Sequence, residues 1–186
     1  MPDKKFYLQR YLRDASGAYR KDGAERSLEE DFGYIRYKSM TGINALGKQK
    51  GVYSESYPES DAARVWVSET PSAEQIAHTL TIYSFGSDPS RPSSDDTPSL
   101  IKTMEDNIQV LYSFICGSLI LWRDEYRQRK ALLYVVDEIS PTTDNIKNIP
   151  YLQCGIKFKN VFGRTFPVGD TTIEDWLGIG SKNSVL

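Results

Sequence analysis

Residues 97–139 read TPSLIKTMEDNIQVLYSFICGSLILWRDEYRQRKALLYVVDEI, and the change of period inside this stretch decides the fold. Leu100, Ile101, Met104, Ile108, Leu111, Tyr112 and Ile115 fall on one stripe of period 3.6, which predicts an amphipathic helix over about 98–116. Thr97 and Pro98 supply an N-cap and first-turn pair, and Gly117 supplies the stop. Two apolar runs follow at 119–124 and 130–139, joined by the charged EYRQR, so the spacing predicts an antiparallel strand pair with a loop longer than a tight hairpin. Val135 and Val136 are both expected to be buried.

Outward from this stretch, the signals are those of strands. In YLQCGIKFKNVFG, at 151–163, Leu152, Cys154, Ile156 and Phe158 alternate with Gln153, Lys157 and Lys159, as on a strand with one wet face. AHTLTIYSF at 77–85, ARVWVSE at 63–69 and FGYIRYKSM at 32–40 carry the same β-branched and aromatic bias. About six or seven strands enclose one helix, with no recurring strand–helix–strand alternation. The fold class is therefore mainly β (α+β), an antiparallel β-sandwich or small barrel with one flanking helix. Residues 32–163 read as its single core domain. GSDPSRPSSDDTPS, at 86–99, holds three prolines, five serines and three aspartates and reads as a mobile surface loop. Residues 1–31 are densely charged and read as an N-terminal arm or irregular lead-in, anchored by Phe6, Leu8 and Tyr11. Residues 164–186 read as a tail with a short helix capped by Thr171 and Glu174.

The 186 residues suffice for one core without a metal or disulfide staple, so stability calls for no cofactor. With 23 Lys+Arg against 25 Asp+Glu, there is no global basic field for nucleic acid. No secretory leader pattern opens the chain, and no apolar run approaches the ~20 residues of a membrane span. Synthesis in the cytoplasm is the expectation. A single histidine, His78, would have to serve every triad or multi-histidine metal site, which removes most hydrolase and metalloenzyme designs. Cys116 and Cys154 lie in apolar runs and read as small hydrophobes.

The acids Glu29–Glu30–Asp31 and Asp95–Asp96 give no fixed convergent pair and read as solvated surface. Asp124, Glu125, Asp137 and Glu138 could gather at neighbouring strand ends, but read equally as hydrated turn acids. TGINALGKQKG at 41–51 imitates a phosphate loop, yet Gln49 stands where the Mg²⁺-binding hydroxyl is required. Twelve tyrosines and three tryptophans suit subunit interfaces or a sugar or peptide platform. Tyr53, Tyr57 and Trp66 are the residues such a surface would use.

The order in SFICGSLILWRDEYRQRKALLYVVDEI and YLQCGIKFKNVFG resembles the tail-tube fold of phage tail proteins, especially the core domain of distal tail proteins. A helix ends in glycine, a strand and an acid-bearing charged turn follow, then an aromatic-bearing strand and a last strand ending in a Phe-containing segment. The resemblance implies a non-enzymatic structural protein of a phage or prophage tail, without cofactor, resident in the virion. Its partners would be copies of itself, in a ring-like homo-oligomer, and other tail proteins. Such a protein would self-associate through exposed β-edges and the terminal arm, and deleting residues 1–24 would spare its secondary structure. The alternative is a carbohydrate- or peptide-binding β-sandwich module.

Overall fold

A computed structural model describes residues 5–43, 75–91, 97–136 and 149–179 in full, and the backbone of 49–55, 64–73 and 142–146. In chain order the elements are β1 (Phe6–Arg13), β2 (Tyr19–Ser27), β3 (Ile35–Thr41), β4 (Gln49–Glu55), β5 (Arg64–Ala73) and β6 (Ile76–Phe85). Then come α1 (Thr97–Ile115), β7 (Leu119–Asp124), β8 (Arg129–Val135), β9 (Thr142–Ile146), β10 (Ile149–Asn160), β11 (Phe166–Pro167) and α2 (Thr172–Trp176). The protein is mainly β, and every strand pair is antiparallel. The large sheet runs β2-β1-β7-β8-β10-β6-β3, with β9 added to β10 and β11 to β8.

α1 meets the expected bounds and turns Met104, Ile108, Leu111, Phe114 and Ile115 into the core. Tyr112, expected on that stripe, is exposed, while Phe114 takes the inward place. The difference is one of phase: the buried face is centred between the 104/108/111/115 row and Phe114, which packs on Phe32. Gly117 stops the helix at φ +70°, where a side chain would be strained. β7 and β8 form the expected pair, with Ile120 opposite Leu133 and Trp122 opposite Ala131. Val135 is only partly buried and Val136 is exposed, because the strand leaves the core at this end.

One face of the sheet carries the main core. Phe6 and Leu8 of β1, Ile120 and Trp122 of β7, Leu133 of β8, Leu152 to Phe158 of β10 and Leu80 and Ile82 of β6 all meet α1 or its neighbours there. The sheet stays open in its hydrogen bonding, since β2 and β3 are its two edges. It is nevertheless coiled enough that Phe6 of β1 stacks on Tyr37 of β3 at 4.0 Å between centroids. On the opposite face Tyr11, Leu121 and Leu132 are covered by Phe166, Ile173 and Leu177. The Lys130 ammonium, itself buried, pairs with Glu174 at 2.6 Å and fastens α2 to β8. Residues 164–179 are thus a structural cover. Thr171 makes no side-chain cap to the backbone; Asp170 Oδ1 accepts from the Thr172 N–H instead, so the expected capping box does not form.

The N-terminal segment also departs from expectation. It is no arm: β1 is an inner strand, hydrogen-bonded to β2 on one side and β7 on the other. Its charges had disguised it, and each has a partner or an outlet. Arg10 pairs with Asp22, and Arg123 pairs with Glu25 while lying over the Tyr7 ring. β2 takes the edge, and its YRKDGAERS sequence blunts that edge with charge. Arg36 and Lys38 do the same on β3. Open β-edges are therefore poor routes to self-association.

Candidate functional site

The six residues singled out as interface candidates separate into two groups. Phe6, Leu8 and Tyr11 are 3%, 1% and 4% exposed and belong to the protein's own two cores, so they are corrected from interface anchors to structural residues. Tyr53 and Trp66 are register partners on β4 and β5. That ribbon forms a sheet of its own and pairs with no other strand among the described residues. Tyr57 lies outside the described residues, as do Asp95, Asp96, Asp137, Glu138 and residues 44–48 of the phosphate-loop look-alike.

Two of the acids at 29–31 have structural employment, while Glu30 is exposed. Asp31 Oδ2 accepts from the Ser27 N–H and Glu29 Oε1 from the Tyr37 N–H, which ties the 28–34 crossing to both neighbouring strands. Among the described residues, no group of three or more His, Cys, Asp or Glu side chains could hold a metal ion, and no helix is long and apolar enough to cross a membrane. Burial pushes the Cys154 thiol up to about 11, so it packs as a hydrophobe.

His78 is buried on β6, its Nδ1 lying 3.3 Å from the Thr41 carbonyl oxygen. Gly42, at φ +74°, lets the chain pass over it: a Cβ there would come within 2.9 Å of the Ala77 carbonyl oxygen. Burial holds the imidazole below its ordinary value, opposed by the Thr41 and Gly42 backbone. The unfolded chain therefore takes up a proton near pH 6.5 that the native state refuses until lower pH. Stability should be flat above about pH 7 and fall as the pH drops below about 6.5, by at most ~1.4 kcal/mol per pH unit. As His78 is the only histidine, denaturant titrations across this window read it alone, and His78→Gln should flatten the profile. A wild-type profile already flat between neutrality and pH 5.5 would contradict this burial cost.

Asp124, expected as a hydrated turn acid, is 3% exposed. The β7–β8 turn folds back over it: its Oδ1 accepts from the Arg127 N–H at 3.0 Å, and Arg127 Nη1 lies 3.5 Å from its Oδ2. Gln128 completes the turn at φ 52°. Arg127 also hydrogen-bonds the Tyr37 side chain, whose phenol is pushed up chiefly by burial. Phe6, Tyr37, Asp124, Tyr126 and Arg127 enclose a pocket of about 180 Å³. Behind it, a cavity of about 10 Å³ shares Asp124 and Arg127 and is lined by Trp122. The indole Nε1 of Trp122 is buried without a hydrogen-bond partner among the described residues. No sequence signal marked this pocket, because its members come from β1, β3, β7 and the turn after β7. On the opposite face, a larger open groove of about 460 Å³ runs past Tyr11, Tyr19, Leu119 and Tyr134.

No family model matches the chain, and no curated protein matches it.

Proposed function

We infer that this chain is a non-enzymatic assembly protein, a tube-like structural subunit of a phage or prophage tail that joins copies of itself into a ring and contacts other tail proteins. The β4–β5 ribbon carries the reading. A lone two-stranded ribbon is marginally stable in water, and this one finds no further strand to pair with among the described residues. Its sequence holds Val52, Tyr53, Val65, Trp66 and Val67, residue types that subunit contacts use. A neighbouring copy supplies the missing surface, and a contact between unlike patches closes into a ring when its rotation allows. The helix, strand, acid-bearing turn and strand that carry the tail-tube resemblance follow one another as α1, β7 and β8, with β7 and β8 paired, which supports the same reading.

Native mass spectrometry of the full chain should give a defined multimer. The double variant Tyr53→Ser/Trp66→Ser should lose it, and the loss counts against the ribbon only if the variant keeps the wild-type circular dichroism spectrum. A wild-type chain that stays monomeric at about 100 μM, where contacts of about −5.5 kcal/mol or stronger would be detected, defeats the reading.

A further inference from the structure

We propose that the pocket under the β7–β8 turn is a binding site for a single neutral sugar ring. Its volume, about 180 Å³, is below the roughly 300 Å³ at which sites for drug-sized ligands begin, so it takes one ring. Its outer wall is the exposed ring of Tyr126, against which the C–H face of a pyranose packs, and the stacked rings of Phe6 and Tyr37 form its base. Its polar groups are one acid and one base held together, Asp124 and Arg127. A cationic ligand would meet the Arg127 guanidinium and an anionic one the Asp124 carboxylate. A pair of neighbouring hydroxyls satisfies both: one donates to Asp124 Oδ2 and the other accepts from Arg127.

The second observation is independent of that pair. Trp122 is 1% exposed, and its indole N–H has no acceptor among the described residues. A buried donor without a partner is destabilising and calls for an explanation. The cavity it lines adjoins the pocket through Asp124 and Arg127 and, at about 10 Å³, has room for about one oxygen atom. A hydroxyl projecting from the bound ring supplies the acceptor. Tyr126 is 62% exposed, so the pocket opens to solvent along this ring. The site uses none of the ribbon and does not depend on the assembly reading.

Saturation-transfer NMR with glucose, galactose, mannose, rhamnose and N-acetylglucosamine, each offered separately, tests the proposal. A ligand of about a dozen non-hydrogen atoms should bind with a dissociation constant in the millimolar range. Transfer is expected to at least one sugar. Tyr126→Ala, which removes an exposed ring and leaves the core intact, should weaken it at least about fivefold. Asp124→Asn keeps an oxygen to cap the turn but loses the charge, and should weaken it further. The ribbon variant Tyr53→Ser/Trp66→Ser should bind the same sugar as wild type, so failure of the assembly reading and failure of this one are separate results. No transfer to any of the five, transfer unchanged in both pocket variants, or preferential binding of an acetylated serine amide over every sugar would overturn the proposal.

Discussion

Leu111→Asp should leave no cooperatively folded protein at room temperature. Leu111 is 1% exposed on the inward face of α1, among Met104, Ile108, Phe114 and Ile115. Truncating a buried leucine alone costs about 2.7–5 kcal/mol. Placing a carboxylate there adds the penalty of a charge with no partner, and a total above about 5 kcal/mol consumes most or all of the 5–15 kcal/mol that a domain of this size has. Val110 is the neighbouring residue and half exposed, so Val110→Asp should cost only about 0.5 kcal/mol, as surface substitutions do. Denaturant unfolding of the two variants therefore reads the rotational phase of the helix. Equal losses, or a larger loss at Val110, would mean that α1 presents another face to the sheet.

Removal of residues 1–24 should unfold the protein, the opposite of what a dispensable arm would do. The cut deletes β1 and most of β2, and strips β7 of a partner along Leu119–Asp124. It takes Phe6 and Leu8 out of the main core and exposes Trp122, on which Phe6 stacks at 5.0 Å. Phe6→Ala by itself should cost about 3–5 kcal/mol. Deletion adds the loss of Leu8 and of two ladders of backbone hydrogen bonds, and leaves β7 as a raw edge that recruits other chains. Loss of the near-ultraviolet circular dichroism signal together with aggregation is the expected result. A truncated chain with a native spectrum and a sharp melting transition would restore the arm.

Local periodicity determined the parts whose neighbours in space are neighbours in sequence. The stripe from Leu100 to Ile115 gave α1 almost to the residue, Gly117 gave its end, and the alternation from Leu152 to Phe158 gave the buried face of β10. These signals are legible because each residue's burial is set by the geometry of its own element. The antiparallel, mainly β class with a flanking helix follows from the same count of elements.

Tertiary structure alone decided what depends on distant partners. The charged stretch 1–31 reads as surface until Asp22 of β2 is found to answer Arg10 of β1, and Glu25 of β2 to reach across β1 to Arg123 of β7. Lys130 is tolerable in the interior only because Glu174 arrives 44 residues later to pair with it. Asp124 looks like any turn acid, and becomes buried because the sheet coils until β3 meets β1 above it. The order β2-β1-β7-β8-β10-β6-β3 has no local cause. Pairing between strands distant in the chain is chosen by which apolar faces can be covered at once and which charges can be matched, and that is a property of the whole fold.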